Sequence, residues 1–598
     1  MNFKEINLYT LPNKLIFITL VLIYFILGIY LISQTSITSD EPAYIGAAYA
    51  YTQGLGLNQE HPLFFKLVTS SIIKLFFSDY HITVPSINII SGEENMEVRL
   101  AAFNLGYSFL LERPENFKQL IFILRFCYLF INSIFLIWIY FFTFYFPQIP
   151  TIVSNSLGIL YVFSPSFYSH NFLISFDVSV SIYALLSIWT MIIAIRQLEQ
   201  FKKIELIIYF CVLNLVFFLA INAKFSNLIL VPIILSAYSI SLIYLLRKNL
   251  KNLAIKFGIL GFISLLIQPI LIIFMYRYAF RNLPNQSIID NIQRYIQGIQ
   301  MNLSTVGGIR KPFWYEDFIS INSLEYLNKI FWFKENPALF IITILIVIIL
   351  ISQIIIERVD VKYFFQKLVN LRKNRWQLYL FFLGSSYPLI YLKLTYNSRF
   401  IIGYRYFYPL IIFIYFSIAY LTVLLKKKWQ KYFLIGSLSL YIYFGLLGIP
   451  QSLSYVNPLW TLEKWRLADD STINWGQETQ HAVKYLLNNY LLPEKNIDTI
   501  VYKTFGVNIN FVQYLYLLSQ EKKYAIDIQS YYSYDYFDPE TTDIAQLNVK
   551  YLLIDSTVKQ QIISQIFHNP LAAKNWRFLA NHIPIYSRND IIFIYQLR

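Results

Sequence analysis

Apolar runs long enough to cross a lipid bilayer recur along this 598-residue chain, near residues 15–33, 120–142, 151–167, 175–195, 206–222, 227–246, 254–275, 338–356, 377–394, 404–425 and 432–449. A helix needs about 20 apolar residues to cross the hydrocarbon core, where every backbone N–H and C=O must be satisfied within the protein. The runs therefore predict a polytopic α-helical membrane protein of about eleven transmembrane helices (eleven to thirteen, since the short connections blur some ends). Composition agrees: 57% of residues are hydrophobic and 14% charged, where a soluble domain carries roughly a quarter charged residues. Disorder is excluded, because a disordered chain needs low hydrophobicity. The net charge of +15 then points to a membrane surface and not to nucleic acid. The first run is longer than a signal-peptide core and has no small-residue cleavage site, so it is expected to stay as a helix. Cys127 and Cys211 both lie in apolar runs and predict neither a disulfide framework nor a thiolate metal site.

The connections assign the sides. Arg196/Lys202/Lys203, Arg247/Lys248/Lys251/Lys256, Arg358/Lys362/Lys367/Arg372/Lys373/Arg375 and Lys426/Lys427/Lys428/Lys431 fall in four connections that would share one face. By the positive-inside rule that face is cytoplasmic, and so is the amino terminus. Two long loops, 34–119 and 277–337, and the tail from 451 then lie outside. The expected organisation is a transmembrane domain over 1–450, loops included, and a small extracytoplasmic α/β domain over 451–598. Strand-like runs fall at 499–502, 551–554 and 591–595, with helical stretches near 476–491 and 509–519. The tail is close to neutral and contains no nucleophile elbow, phosphate loop or zinc ligand set.

Polar residues at span ends carry the chemical information, because ionisable groups at membrane depth are costly and often functional. Asp40 and Glu41 follow the first span, where Ser39 or Asp40 and Pro42 also suit a helix start. Glu60, His61 and Lys66 come twenty residues later. Asp177 opens the fourth span, Lys224 lies in a short outer turn, and Arg399 and Arg405 flank the start of the tenth. Snorkelling explains many basic residues near helix ends, but Lys224 and Arg405 sit on the outer side, against the positive-inside bias.

These signals, in this order, resemble the GT-C class of polyprenyl-phosphate-sugar-dependent glycosyltransferases, in particular bacterial relatives of the protein O-mannosyltransferases and of lipid A aminoarabinose transferase. The matching pieces are Asp40-Glu41, His61-Pro62-Leu63-Phe64-Phe65-Lys66, Ser164-Pro165-Ser166-Phe167, Phe176-Asp177, Ala223-Lys224-Phe225-Ser226, the run Gly403 to Pro409, and the run Asp470 to Gln477. Leu63 and Phe64 replace a Pro-Leu pair of the family pattern, and Asn474 replaces an acidic residue. The resemblance implies transfer of a sugar from a polyprenyl-phosphate donor to a hydroxyl of a protein, lipid or glycan at the outer face of a bacterial inner or plasma membrane, with inversion. It favours Asp40 over Glu41 as the base that takes the hydroxyl proton. Lys224 and Arg405, with Arg399 and Lys66 as partners, are the candidates for the lipid phosphate. No cofactor is firmly implied; a divalent metal ion held by Glu60, His61 and Asp40 is one reading, and His61 ordering its loop by hydrogen bonds is the other. Rival classes are a lipid-linked glycan transporter or flippase and a non-catalytic membrane assembly protein. A transporter calls for polar groups near the bilayer midplane, whereas the charges singled out here gather at one face.

Overall fold

The computed structural model describes residues 10–57, 60–84, 95–145, 150–197, 203–283, 287–308, 310–314, 317–319, 321–355, 375–396, 398, 400–425, 427–468, 470–486, 488–489, 500–503, 550–568, 576, 579 and 582–596. The chain runs through α1 (Thr10–Gln34), α2 (Glu41–Thr52), α3 (Phe64–Phe76), α4 (Asn95–Leu111), α5 (Phe117–Tyr145), α6 (Thr151–Val162), α7 (Pro165–Tyr168), α8 (Asp177–Gln197) and α9 (Lys203–Ile221). It continues through α10 (Leu230–Arg247), α11 (Lys251–Ala279), α12 (Ile288–Val306), α13 (Ser323–Lys334), α14 (Pro337–Ile355), α15 (Arg375–Tyr396) and α16 (Tyr408–Leu421).

Among the described residues, six segments are long and apolar enough to cross a membrane: Asn13–Gln34, Phe117–Phe141, Asp177–Ile195, Phe225–Arg247, Lys251–Ala279 and Tyr404–Leu424. This is an integral membrane protein. These six do not confirm the expected count of eleven, and several of the remaining runs are shortened or bent locally. The run at 338–356 is one arm of a pair, α13 and α14, bent by 96° at Glu335-Asn336, which makes a seventh crossing if the two arms count as one. The run at 151–167 stops at Val162, because Ser164-Pro165 opens a new turn in which Ser164 Oγ accepts from Phe167 N. The run at 206–222 is likewise a shorter apolar helix, Ile207–Ile221. Between 427 and 446 the chain forms two short helices separated by a π turn at Phe433–Ser437.

The first long loop is mostly helical. Asp40 stands at the N-cap position of α2 with Pro42 in the first turn, but its side chain makes no capping bond, so the carboxylate points elsewhere. Helix α2 crosses α4 at backbone contact. A Cβ added to Gly106 would lie 1.9 Å from Pro42 O, and one on Gly46 would lie 2.1 Å from Ala102 O. Small residues permit such approach.

In the tail, β3 (Ile500–Lys503), β4 (Tyr551–Asp555), β5 (Tyr586–Arg588) and β6 (Ile592–Gln596) form a sheet of order β3-β4-β6-β5, with β3 parallel to β4 and the other pairs antiparallel. A hairpin of β1 (Phe313–Trp314) and β2 (Asp317–Phe318) belongs to the second long loop. Strand β4 is buried at every position, as expected for a central strand with a continuous apolar run. The helix expected near 476–491 spans Thr479–Leu486, and the one near 509–519 lies outside the described residues.

Candidate active site

Four charged side chains from distant parts of the chain meet where helices α1, α8, α9 and α16 reach a common end. Asp40 follows an extended segment after α1 whose Ser36 and Ser39 N–H groups donate to Gln477 O and Trp475 O, each at 3.0 Å. Asp177 is the first residue of α8, where the positive end of the helix dipole favours a carboxylate. Lys224 stands in the turn after α9. Arg405 lies in a one-turn helix, Tyr404–Phe407, that leads into α16. The turn before it depends on Gly403, whose φ of +152° and separation of 2.4 Å between an added Cβ and Ser471 Oγ leave no room for a side chain.

The arginine is the hub. Its Nη1 and Nη2 donate to Asp40 Oδ2 at 3.1 and 3.0 Å, and Nη1 also reaches Asp177 Oδ2 at 3.3 Å. Lys224 Nζ donates to Asp177 Oδ1 at 3.2 Å. Two aromatic faces support the cations: Trp475 lies 3.9 Å from the Arg405 guanidinium, and Tyr406 lies 4.3 Å from the Lys224 ammonium. Arg405 and Asp177 are each 7% exposed, whereas the Asp40 side chain is 31% exposed. Arg405 Nε is buried and makes no hydrogen bond among the described residues. Burial opposes the charge on Lys224, and the Asp177 carboxylate outweighs that penalty, raising the ammonium's pKa.

These groups line a cavity of about 250 Å³, together with Ala43, Tyr44, Glu60, His61, Phe103, Thr305, Arg310, Phe400, Ile402, Tyr406 and Trp475. The fold thus brings six of the singled-out residues to one space: Asp40, Glu60, His61, Asp177, Lys224 and Arg405. Glu41 is not among them. Its Oε1 accepts from Arg125 Nε at 2.9 Å and Ile174 N at 3.1 Å, and its Oε2 from Arg125 Nη2 at 2.6 Å and Thr38 N at 2.8 Å. Lys66 also stands off the cavity, fully buried behind His61, with Nζ donating to His61 O at 3.3 Å. Burial pulls its pKa down to about 7, against the attraction of Glu60. Arg399 lies outside the described residues. Among the described residues, no group of three or more His, Cys, Asp or Glu side chains is gathered closely enough to hold a metal ion, so Asp40, Glu60 and His61 do not form the metal set considered from the sequence. His61 instead packs its ring edge-on to Phe176, with centroids 5.5 Å apart.

Arg310 and Tyr44 were not singled out from the sequence. Arg310 carried a weak signal, as a basic residue in a long loop expected on the outer face, and Tyr44 carried none, in a chain with 49 Tyr and 52 Phe. Tyr406 and Trp475 lie in the runs Gly403 to Pro409 and Asp470 to Gln477 that carry the resemblance, but neither was given a role of its own.

Site and fold define a membrane protein with a charged, half-open cavity at its helix ends. No protein-family model matches the sequence, and no curated protein matches it. Among solved structures it is similar to the S. cerevisiae protein O-mannosyltransferase Pmt1-Pmt2 complex bound to the sugar donor, at 14% identity and a TM-score of 0.34 over 47% of this chain and 35% of that one. It is also similar to ArnT from Cupriavidus metallidurans bound to undecaprenyl phosphate, at 9% identity and a TM-score of 0.27 over 97% of each chain. The chain therefore spans about a third of the mannosyltransferase subunit that it matches.

Proposed function

We propose that this protein transfers a sugar from a polyprenyl-phosphate donor to an acceptor hydroxyl at the outer membrane face. The observation that carries this reading is the convergence of Asp40, Asp177, Lys224 and Arg405 on one cavity. A polyprenyl tail stays in the bilayer, so its phosphate and sugar reach the protein at helix ends, where this cavity lies. Arg405 offers a planar fork and Lys224 a point charge, and both suit a phosphate. Asp177 holds both cations from one side. Asp40, the more exposed carboxylate, faces the open part of the cavity.

In the resting state Arg405 spans both carboxylates. An arriving phosphate competes with Asp40 for the Nη groups, and Asp40 then turns to the acceptor. It takes the hydroxyl proton as the oxygen attacks the anomeric carbon. The bond from that carbon to the phosphate oxygen breaks, and its electron pair leaves on the phosphate. Arg405 and Lys224 stabilise the charge that develops there. Attack opposite the leaving group inverts the anomeric centre. Glu41, with both oxygens engaged by buried donors, serves as structure and not as base.

A labelled polyprenyl-phosphate sugar and a hydroxyl acceptor test the reading. Asp40→Asn keeps a hydrogen-bond acceptor for Arg405 but cannot take a proton, and general-base losses run to about 10²–10⁴-fold. The variant is expected to bind undecaprenyl phosphate and fail to turn over. Near-native turnover would reject the base assignment, and label that crosses the membrane still attached to the lipid would identify a transporter.

A further inference from the structure

Trp475 is the point at which the tail enters the cavity, and the transfer chemistry above assigns it no task. Its carbonyl accepts from Ser39 N at 3.0 Å, fixing the residue next to Asp40. Its indole face carries the Arg405 guanidinium at 3.9 Å. The ring is 1% exposed, yet it lines the cavity. The turn around it is well determined. Trp475 N donates to Gln477 Oε1 at 2.6 Å, Gln477 Nε2 donates to Ile473 O at 2.7 Å, and Gly476 takes a φ of +84°. Behind the indole stands His170, ring centroids 5.8 Å apart, itself held by Tyr408 Oη at 2.9 Å from its Nδ1. One residue therefore touches both sides of the Asp40–Arg405 pair: its backbone holds Ser39, the neighbour of Asp40, and its ring holds Arg405 itself.

We propose that Trp475 is a positioning residue that keeps the Arg405 guanidinium at the cavity while its anionic partners exchange. The physical argument is geometric. A cation held on a ring face leaves its N–H edge free, so the contact survives when Asp40 is replaced by a phosphate oxygen. The indole also excludes water from one side of the guanidinium, which strengthens the hydrogen bonds made on the other. The proposal rests on the reading of this cavity as the donor-phosphate site.

The test uses the full-length protein in detergent, with undecaprenyl phosphate as the binding probe and donor turnover as the second readout. Trp475→Leu should weaken binding of the probe about five- to tenfold, within the range of partly desolvated cation–π contacts, and raise the donor KM while leaving the acceptor KM unchanged. Trp475→Phe, which restores a ring face, should recover most of the loss. Combined with Arg405→Ala, which removes the cation, Trp475→Leu should add little, because the two act through one contact. Native binding by the Leu variant, a Phe variant as weak as Leu, or full additivity in the double variant would each overturn the proposal. Melting temperatures taken on the same samples separate this from unfolding, and a Phe variant that is stable but weak also counts against it. If the unaltered protein fails to bind undecaprenyl phosphate, the donor-site reading falls, and this one with it. If it binds and the Leu variant binds equally, only this one falls.

Discussion

Glu41 and Asp40 are neighbours in the chain, and substitution should separate them completely. The Glu41 and Arg125 side chains are 1% and 0% exposed. The carboxylate accepts four hydrogen bonds, two of them from Arg125. Arg125 in turn donates to Thr35 O at 2.7 Å and Ser36 O at 2.8 Å, tying α5 to the segment that leads to Asp40. Glu41→Gln keeps the shape, removes the charge and turns an amide NH₂ toward a donor. The guanidinium is left buried with only carbonyl dipoles for company, and breaking such a pair costs about 3–5 kcal/mol. That is a large share of a typical stability of roughly 5–15 kcal/mol. The variant should therefore yield little monodisperse protein in detergent, with a lowered melting temperature. Glu41→Leu combined with Arg125→Met, which removes both charges, should recover much of the loss. Asp40→Asn should melt like the unaltered protein and fail only in transfer. A Glu41→Gln protein of native stability that has lost transfer would refute this division and make Glu41 the base.

Three further outcomes are expected. Arg405→Ala removes charge-assisted hydrogen bonds worth about 1.5–3 kcal/mol, so the donor KM should rise roughly ten- to a hundredfold with the acceptor KM unmoved; an unchanged donor KM refutes the phosphate role. Lys66 releases its proton near pH 7 when folded, against an ordinary value of 10.5. Between those values the unfolded chain holds the extra proton, so stability should rise with pH across the window. Lys66→Met should flatten that part of the melting-temperature profile, and an unaltered slope would show that Lys66 does not titrate there. Gly106→Val drives side-chain atoms into Pro42 O and should displace α2, lowering both melting temperature and turnover; a variant native in both would show that the crossing yields.

How far the site could be read ahead depended on contrast. Asp40, Asp177, Lys224 and Arg405 stand out because each is a charge at the edge of an apolar run, and the same physics that makes them costly there drives them to meet. Lys66 has the same signature but stands behind the cavity wall, since a one-dimensional pattern fixes depth along a helix and not the face of it. Arg125 was overlooked, although an arginine inside an apolar run was a signal that Glu41 had a structural partner. Trp475 was in view, inside the run Asp470 to Gln477, but its contact with Arg405 joins residues 70 positions apart and no local pattern points to it. Span counting did not see the break at Ser164-Pro165 inside the run at 151–167, or the bend at Glu335-Asn336 just before the run at 338–356. At the second break, Glu335 accepts from Ser166, Tyr404 and Tyr415 hydroxyls at 2.9, 2.7 and 2.6 Å, so a buried carboxylate marks the bend.

The strap that joins the segment after α1 to residues 475–481 also bears on how the protein is made. Ser36 Oγ accepts from Gln480 N and Gln34 O accepts from Gln480 Nε2, contacts that close over 444 and 446 residues of chain. A ribosome adds roughly 5–20 residues per second, so Asp40 emerges long before the residues that hold its neighbours have been synthesised. Until then the segment has no backbone partner in the tail, and the Asp40–Arg405 pair has no ring behind it. The cavity is thus assembled late, after every membrane helix has been inserted, and a nascent or truncated chain would sit in the bilayer with its charges present but not yet aligned.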